Sequence, residues 1–246
     1  MAFGRLPVMR AVRVAYGDVA RVLRAMPTLV LVALAIDLAG DVLKDVEPLQ
    51  RTAAVAFGTV IAMGKYWLLT PFFIAVHRFI LIDEADDHYR LDPQNPRFAR
   101  FFTWSLALWL MLALPGLAVR SLAVPFSMIS PTTAMSALAC LCVVAVIVGL
   151  RLIVLFPAIA VDAPGATPAN ASADMHGYAL DVFLICVLAI LPIVAVETAV
   201  VGAGAPSFAG QVVDTLANLV IRVLMIVVAS RAFQSIGNRV LRPASA

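Results

Sequence analysis

Charge is what this 246-residue chain has least of. Only 13% of its residues are Asp, Glu, Lys or Arg, against roughly 25% in ordinary soluble domains, while 63% are hydrophobic. No water-soluble surface can be assembled from that balance, which excludes an ordinary globular domain. Cysteine is sparse as well. Cys140, Cys142 and Cys186 all lie in apolar runs, and the C-x-C spacing fits neither a zinc site nor a redox pair, so no disulfide framework is expected. A Gly-rich phosphate loop and a G-x-S-x-G nucleophile turn are missing, which removes two common enzyme classes and leaves no cofactor expected. The formal net charge of +3 is too small to point to a nucleic-acid partner.

What the chain does have is long apolar runs. Six of them, approximately Pro27–Leu43, Ala54–Val76, Phe101–Val119, Ala134–Ile159, Ala179–Val200 and Val212–Ala232, approach the ~20 residues a helix needs to cross a bilayer. They are continuous Leu/Val/Ala/Ile stretches, and backbone in lipid must satisfy its own hydrogen bonds, so helices are expected instead of barrel strands. The fold expected is an all-α integral membrane protein of six transmembrane helices arranged as three hairpins. Residues 1–26 form an N-terminal amphipathic interfacial helix, 27–232 the bundle, and 233–246 a short basic tail.

Basic residues set the orientation. Arg5, Arg10, Arg13, Arg21 and Arg24 precede the first span, Arg78, Arg90, Arg97 and Arg100 follow the second, and Arg231, Arg239 and Arg242 surround the end of the sixth. The opposite side has Lys44, Arg51 and Arg120 only, so both termini are expected in the cytoplasm. Arginine in place of lysine, together with abundant alanine, matches a GC-rich bacterial coding sequence and points to a bacterial inner membrane. A competing reading makes Thr28–Ala35 the apolar core of a cleavable signal peptide, but the segment before it is long for that purpose and has a design of its own.

At about 100° per residue, Val8, Val12, Ala15, Val19, Val22, Leu23 and Met26 share one sector of that segment, and Arg10, Arg13, Arg21 and Arg24 gather opposite. Such a helix can lie along the leaflet with its arginines among anionic lipid headgroups, each worth about 1 kcal/mol near the surface. It can equally pack its valines on the bundle.

Three cations fall inside spans: Lys65, Arg151 and Arg222, one on each helix that returns to the cytoplasm. Lys65 precedes Pro71 by six residues and Arg151 precedes Pro157 by six, a weak internal echo. A cation at the centre of a lone spanning helix costs about 2.5 to 3.5 kcal/mol, so each must snorkel, pair or line a hydrated space. Arg151 lies roughly 12 Å from the end of its span at 1.5 Å per residue, within partial reach of water by snorkelling. Lys65 and Arg222 are near mid-span, and Asp37 is the acid at matching depth. Pairing of Asp37 with Lys65, or second with Arg222, is therefore expected, either as a structural pair or as part of an ion or substrate path.

The densest polar stretch follows the second span: His77, Arg78, Asp83, Glu84, Asp86, Asp87 and His88. On a continuing helix, Glu84 and His88 would share a face, with His77 two turns earlier. His77, Asp83, Glu84 and His88 are thus candidates for a metal or a lipid headgroup, although the stretch lacks the glycine turn of an EF-hand and the spacing of a zincin. The plainer reading is a solvated helix end leading into the Asp92-Pro93, Pro96 linker.

The stretch from Pro71 to Glu84, PFFIAVHRFILIDE, and that from Arg151 to Asp162, RLIVLFPAIAVD, resemble the YciC-like bacterial six-span proteins and the membrane domain fused to some glycerophosphodiester phosphodiesterases. The resemblance implies a multi-span inner-membrane protein with no defined reaction. The catalytic domain of the fused proteins has no counterpart in this chain, and Pro164 and Pro168 interrupt a region where similar proteins have a longer polar helix. Three functions follow in order: a non-enzymatic protein that associates with lipid, a membrane-protein partner or its own copies; a small transporter or channel component; and a membrane enzyme acting on lipid headgroups.

Overall fold

The computed structural model describes residues 8–45, 51–121, 131–201 and 208–241. All regular structure among them is helical: α1 (Val8–Ala25), α2 (Pro27–Asp45), α3 (Arg51–Ile82), α4 (Pro96–Ser121), α5 (Pro131–Leu152), α6 (Leu155–Ala160), α7 (Pro168–Asp174), α8 (Ala179–Val201) and α9 (Phe208–Ile236). The chain is an all-α membrane protein. By length and apolarity four of the described helices can cross a bilayer, or five if α1 and α2 count as one bent span. α4 has the length, at 26 residues, but starts with Arg97 and Arg100 and is less apolar than every other long helix except α1. Arg5 and Arg242 lie outside the described residues, as do the side chains of Lys44, Arg51 and Arg120.

α3 and α9 form the centre. Each packs on the other, α2 lies across both, α4 packs on α3, and α8 packs on α9. α5 sits at the edge, against α4, α7 and α8. Buried residues of α3 (Leu69, Phe72, Phe73, Val76) and α9 (Leu219, Val223, Leu224, Val227) fill the core, while α5 exposes Leu141, Val143, Val144 and Ile147 as expected of a lipid-facing helix.

Prolines inside α3 and α8 do not end either helix. Proline lacks an N–H and displaces the carbonyls one turn before it, which then need other donors. At both sites a distant tyrosine supplies one: Tyr89 donates its hydroxyl to the Leu68 carbonyl at 2.8 Å, three residues before Pro71, and Tyr16 donates to the Ala189 carbonyl at 2.6 Å, three before Pro192. The second apolar run with an internal cation behaves differently. The single span expected over Ala134–Ile159 is interrupted at Ile153 and Val154, just after Arg151, and resumes as α6.

The chain turns by 97° between α1 and α2, so the amphipathic arm lies across the axis of the span that follows. Its apolar stripe, Val12, Ala15, Val19 and Val22, is buried against α8 and α9 instead of facing lipid. Asp18, also buried, fastens it there by an ion pair to Arg231 at 2.7 Å. Thr28–Ala35, the alternative signal-peptide core, lies within α2 and packs in the bundle.

The expected tail boundary at residue 233 also moves. α9 continues to Ile236, and Val240 is buried. The buried Asp174 carboxylate accepts the backbone N–H groups of Arg239 and Val240, and Gly165 donates to the Val240 carbonyl, so this stretch closes onto the α6–α7 loop.

Candidate functional site

Asp37, Lys65 and Arg222 meet where α2, α3 and α9 cross. Asp37 is 1% exposed; Lys65 Nζ stands 3.0 Å from one of its oxygens, and Arg222 Nη1 bridges both. Pairing with Lys65 or with Arg222 were alternatives in the sequence; the carboxylate takes both. A fourth charge joins them. Asp41, one helical turn after Asp37, accepts from Lys65 at 2.8 Å and from the Thr215 hydroxyl at 3.3 Å. Two acids thus face two bases, and the buried node is neutral in sum.

Gly40 makes the crossing possible. A Cβ at Gly40 would lie 2.2 Å from Lys65 Cδ, so the lysine stem runs over the bare backbone of α2 to reach both aspartates. Asp41 and Gly40 were missed in the sequence, although an Asp-x-x-Gly-Asp run facing a mid-span lysine is a readable signal: residues four apart share a helix face.

Arg151 stands apart from this node. It is exposed in the last turn of α5, and among the described residues no ion pair includes it.

The acidic stretch does not converge on one point. Its four candidates separate: His77 is buried with Nδ1 2.8 Å from Ser230 Oγ and its ring against Phe101, Asp83 pairs with Arg21 at 3.2 Å, Glu84 pairs with Arg78, and His88 approaches Asp86 at 3.2 Å. These positions give the metal reading no support. α3 ends at Ile82, so the helix face that would have carried Glu84 and His88 does not exist, and among the described residues no three His, Cys, Asp or Glu side chains could hold a metal. The neighbouring acids serve backbone. His88 N–H donates to Asp86 and holds that carboxyl below its usual range. Asp87 accepts the N–H of Leu29 at 3.0 Å, capping α2 from across the chain, and hydrogen bonds from the Thr28 side chain and then from backbone hold it low as well.

Asp83 and Asp162, which end or nearly end the two quoted motifs, both adopt left-handed backbone, with φ 55° and 52°. Asp tolerates this region better than most residues. Arg21 holds the first and Arg97 the second, while Arg78 donates to the Ala160 carbonyl at 3.1 Å and Arg100 to that of Ala166 at 2.9 Å. Many of the arginines at this end of the bundle thus tie helix ends together.

On α1, Arg21 also lies over the Phe79 ring and Arg24 turns back to the Ala20 carbonyl. Arg10 and Arg13 are exposed, and among the described residues neither enters an ion pair.

Beside the charged node a cavity of about 640 Å³ opens between α3, α4, α5, α8 and α9. Tyr66 and Arg222 stand at its inner end, His77 and Phe156 at the other, with apolar side chains between. Water gains too few partners on such walls to fill it.

Comparison with protein-family models, curated proteins and solved structures returns no match to this chain. The site's chemistry therefore rests on its geometry.

Proposed function

We propose that this chain is a six-span bacterial inner-membrane protein with both termini in the cytoplasm, similar to the YciC-like proteins, which performs no reaction of its own and acts by associating with anionic lipid headgroups. The observation that carries this reading is the arm α1: it lies at 97° to α2, its apolar stripe is already satisfied by the bundle, and Arg10 and Arg13 extend outward. A helix across the span axis, at the arginine-rich end, is placed to meet phosphate groups along the leaflet.

The interior charges support association over transport. The node is balanced internally, Asp37 is sealed, and the cavity beside it is apolar, so these residues offer a charged solute no polar route. The headgroup-enzyme reading loses its proposed residues, since His77, Asp83, Glu84 and His88 point apart.

The test is lipid retention. Full-length protein exchanged against mixed phosphatidylglycerol and phosphatidylethanolamine should keep the anionic lipid preferentially in native mass spectrometry. Arg10→Gln with Arg13→Gln removes about 2 kcal/mol of attraction, or about 30-fold of that preference. Equal retention by wild type and the double variant, or no lipid at all, overturns the proposal.

A further inference from the structure

The cavity between α5 and α8 plays no part in headgroup binding. We infer that it is a binding site for one acyl chain of a phospholipid, drawn sideways from the leaflet at the arginine-rich end.

Its opening faces the membrane. The outer rim consists of Val146 on α5 and Phe183, Val187 and Leu191 on α8, all exposed, whereas Phe73, His77 and Phe101 on the inner wall are buried. The entrance thus lies on the lipid-facing side of the bundle, where hydrocarbon chains are the surrounding solvent.

Its length fits a chain from one leaflet. The inner wall runs along α3 from Tyr66 to His77 and the outer wall along α8 from Phe183 to Val194, each about 16 Å at 1.5 Å per residue. Half of a bilayer's hydrocarbon core is about 15 Å thick. The space is made on α5, where Ala145, Gly149 and Leu150 line the cavity and the two smallest, Ala145 and Gly149, stand one turn apart. A Cβ at Gly149 would only touch Leu108 at 3.4 Å, so the wall there can be built out.

Its chemistry excludes a charged ligand tip. The single cation at the inner end, Arg222, is engaged by Asp37. An uncharged methyl terminus therefore suits that end, and the polar part of the lipid stays at the His77 and Phe156 end, nearer the arginines. The occupant is hydrocarbon because the walls are almost wholly apolar, offer water few partners and open on the lipid-facing side.

Trp109 lines the cavity and reports on it directly. In a full-length protein with Trp67→Phe and Trp104→Phe, brominated-chain phosphatidylcholine supplied in amounts near one per protein in detergent should quench Trp109. A zwitterionic lipid keeps the test separate from Arg10 and Arg13: loss of anionic preference leaves this quenching intact, and loss of quenching leaves that preference intact. Ala145→Phe should fill the site and reduce both quenching and retained phospholipid several-fold, while Val144→Phe on the exposed face of α5 should change neither. Should Ala145→Phe fail to fold, Gly149→Leu fills the same space from the next turn. Absence of quenching in the parent protein overturns the inference, as does equal quenching in the filled and control variants. Retention of a polyprenyl compound in place of phospholipid, or a dimer that Ala145→Phe dissociates, overturns it in favour of another occupant.

Discussion

Two clusters of charge in this chain share residue types and end in opposite arrangements. At mid-depth Asp37, Asp41, Lys65 and Arg222 converge from three helices into one neutral node. After α3, Asp83, Glu84, Asp86 and Asp87 lie within five consecutive positions, yet each turns to a different partner. Surroundings decide the difference. A charge inside an apolar bundle finds no water and must seek its opposite, whereas an acid at the bundle's end can choose among arginines, free helix N–H groups and solvent. Sequence density is therefore a poor guide to a site, and depth is a better one.

The comparison is broken most severely at Asp37. Asp37→Leu leaves Arg222 facing an apolar neighbourhood and should cost about 3 to 5 kcal/mol, read as a large fall in thermal midpoint and folded yield. Lys65→Leu should cost less, about 1 to 3 kcal/mol, because Asp37 keeps Arg222 and Asp41 keeps Thr215. Unchanged stability after Asp37→Leu would mean that the node does not hold the helices together.

Gly40→Ala attacks the same node without touching a charge. The added methyl displaces the Lys65 stem from its path and should destabilise by about 1 to 3 kcal/mol. In a Lys65→Ala background the clash has no partner, so most of that loss should vanish. A penalty that persists there would assign Gly40 to helix packing alone.

The helical membrane class and the depth of Asp37 were both legible in the chain, since apolar run length and intramembrane charge are local properties. Asp41 was readable too, being one turn from Asp37, but weighing each acid singly concealed it. The burial of the α1 valines was not readable: a stripe of that kind serves lipid and protein equally well, and only the buried Asp18 meeting Arg231, 213 positions away, decides between them. The cavity was hidden for a similar reason. Ala145 and Gly149 read as ordinary small residues until α8 stands opposite them.

The smallest effects belong to the acidic stretch, and they separate two kinds of acid within it. Glu84 and Arg78 form a partly exposed pair, so Glu84→Gln should change stability by about 1 kcal/mol or less. Asp87→Ala should act locally, because it uncovers the N–H of Leu29 and loosens the start of α2. Hydrogen exchange at Leu29, compared between the two variants at one pH, should quicken for Asp87→Ala and stay near wild type for Glu84→Gln. The pH dependence has a definite sign. Hydrogen bonds keep the folded Asp87 carboxyl below its ordinary range, so its contribution is present above about pH 4 and fades as the pH falls through the lower folded value. The two variants should therefore converge in acid, once Asp87 is protonated and donates where it had accepted. Equal protection of Leu29 in both variants near neutral pH would remove Asp87 from its capping role and make the whole stretch what it first resembles, a solvated run of acids.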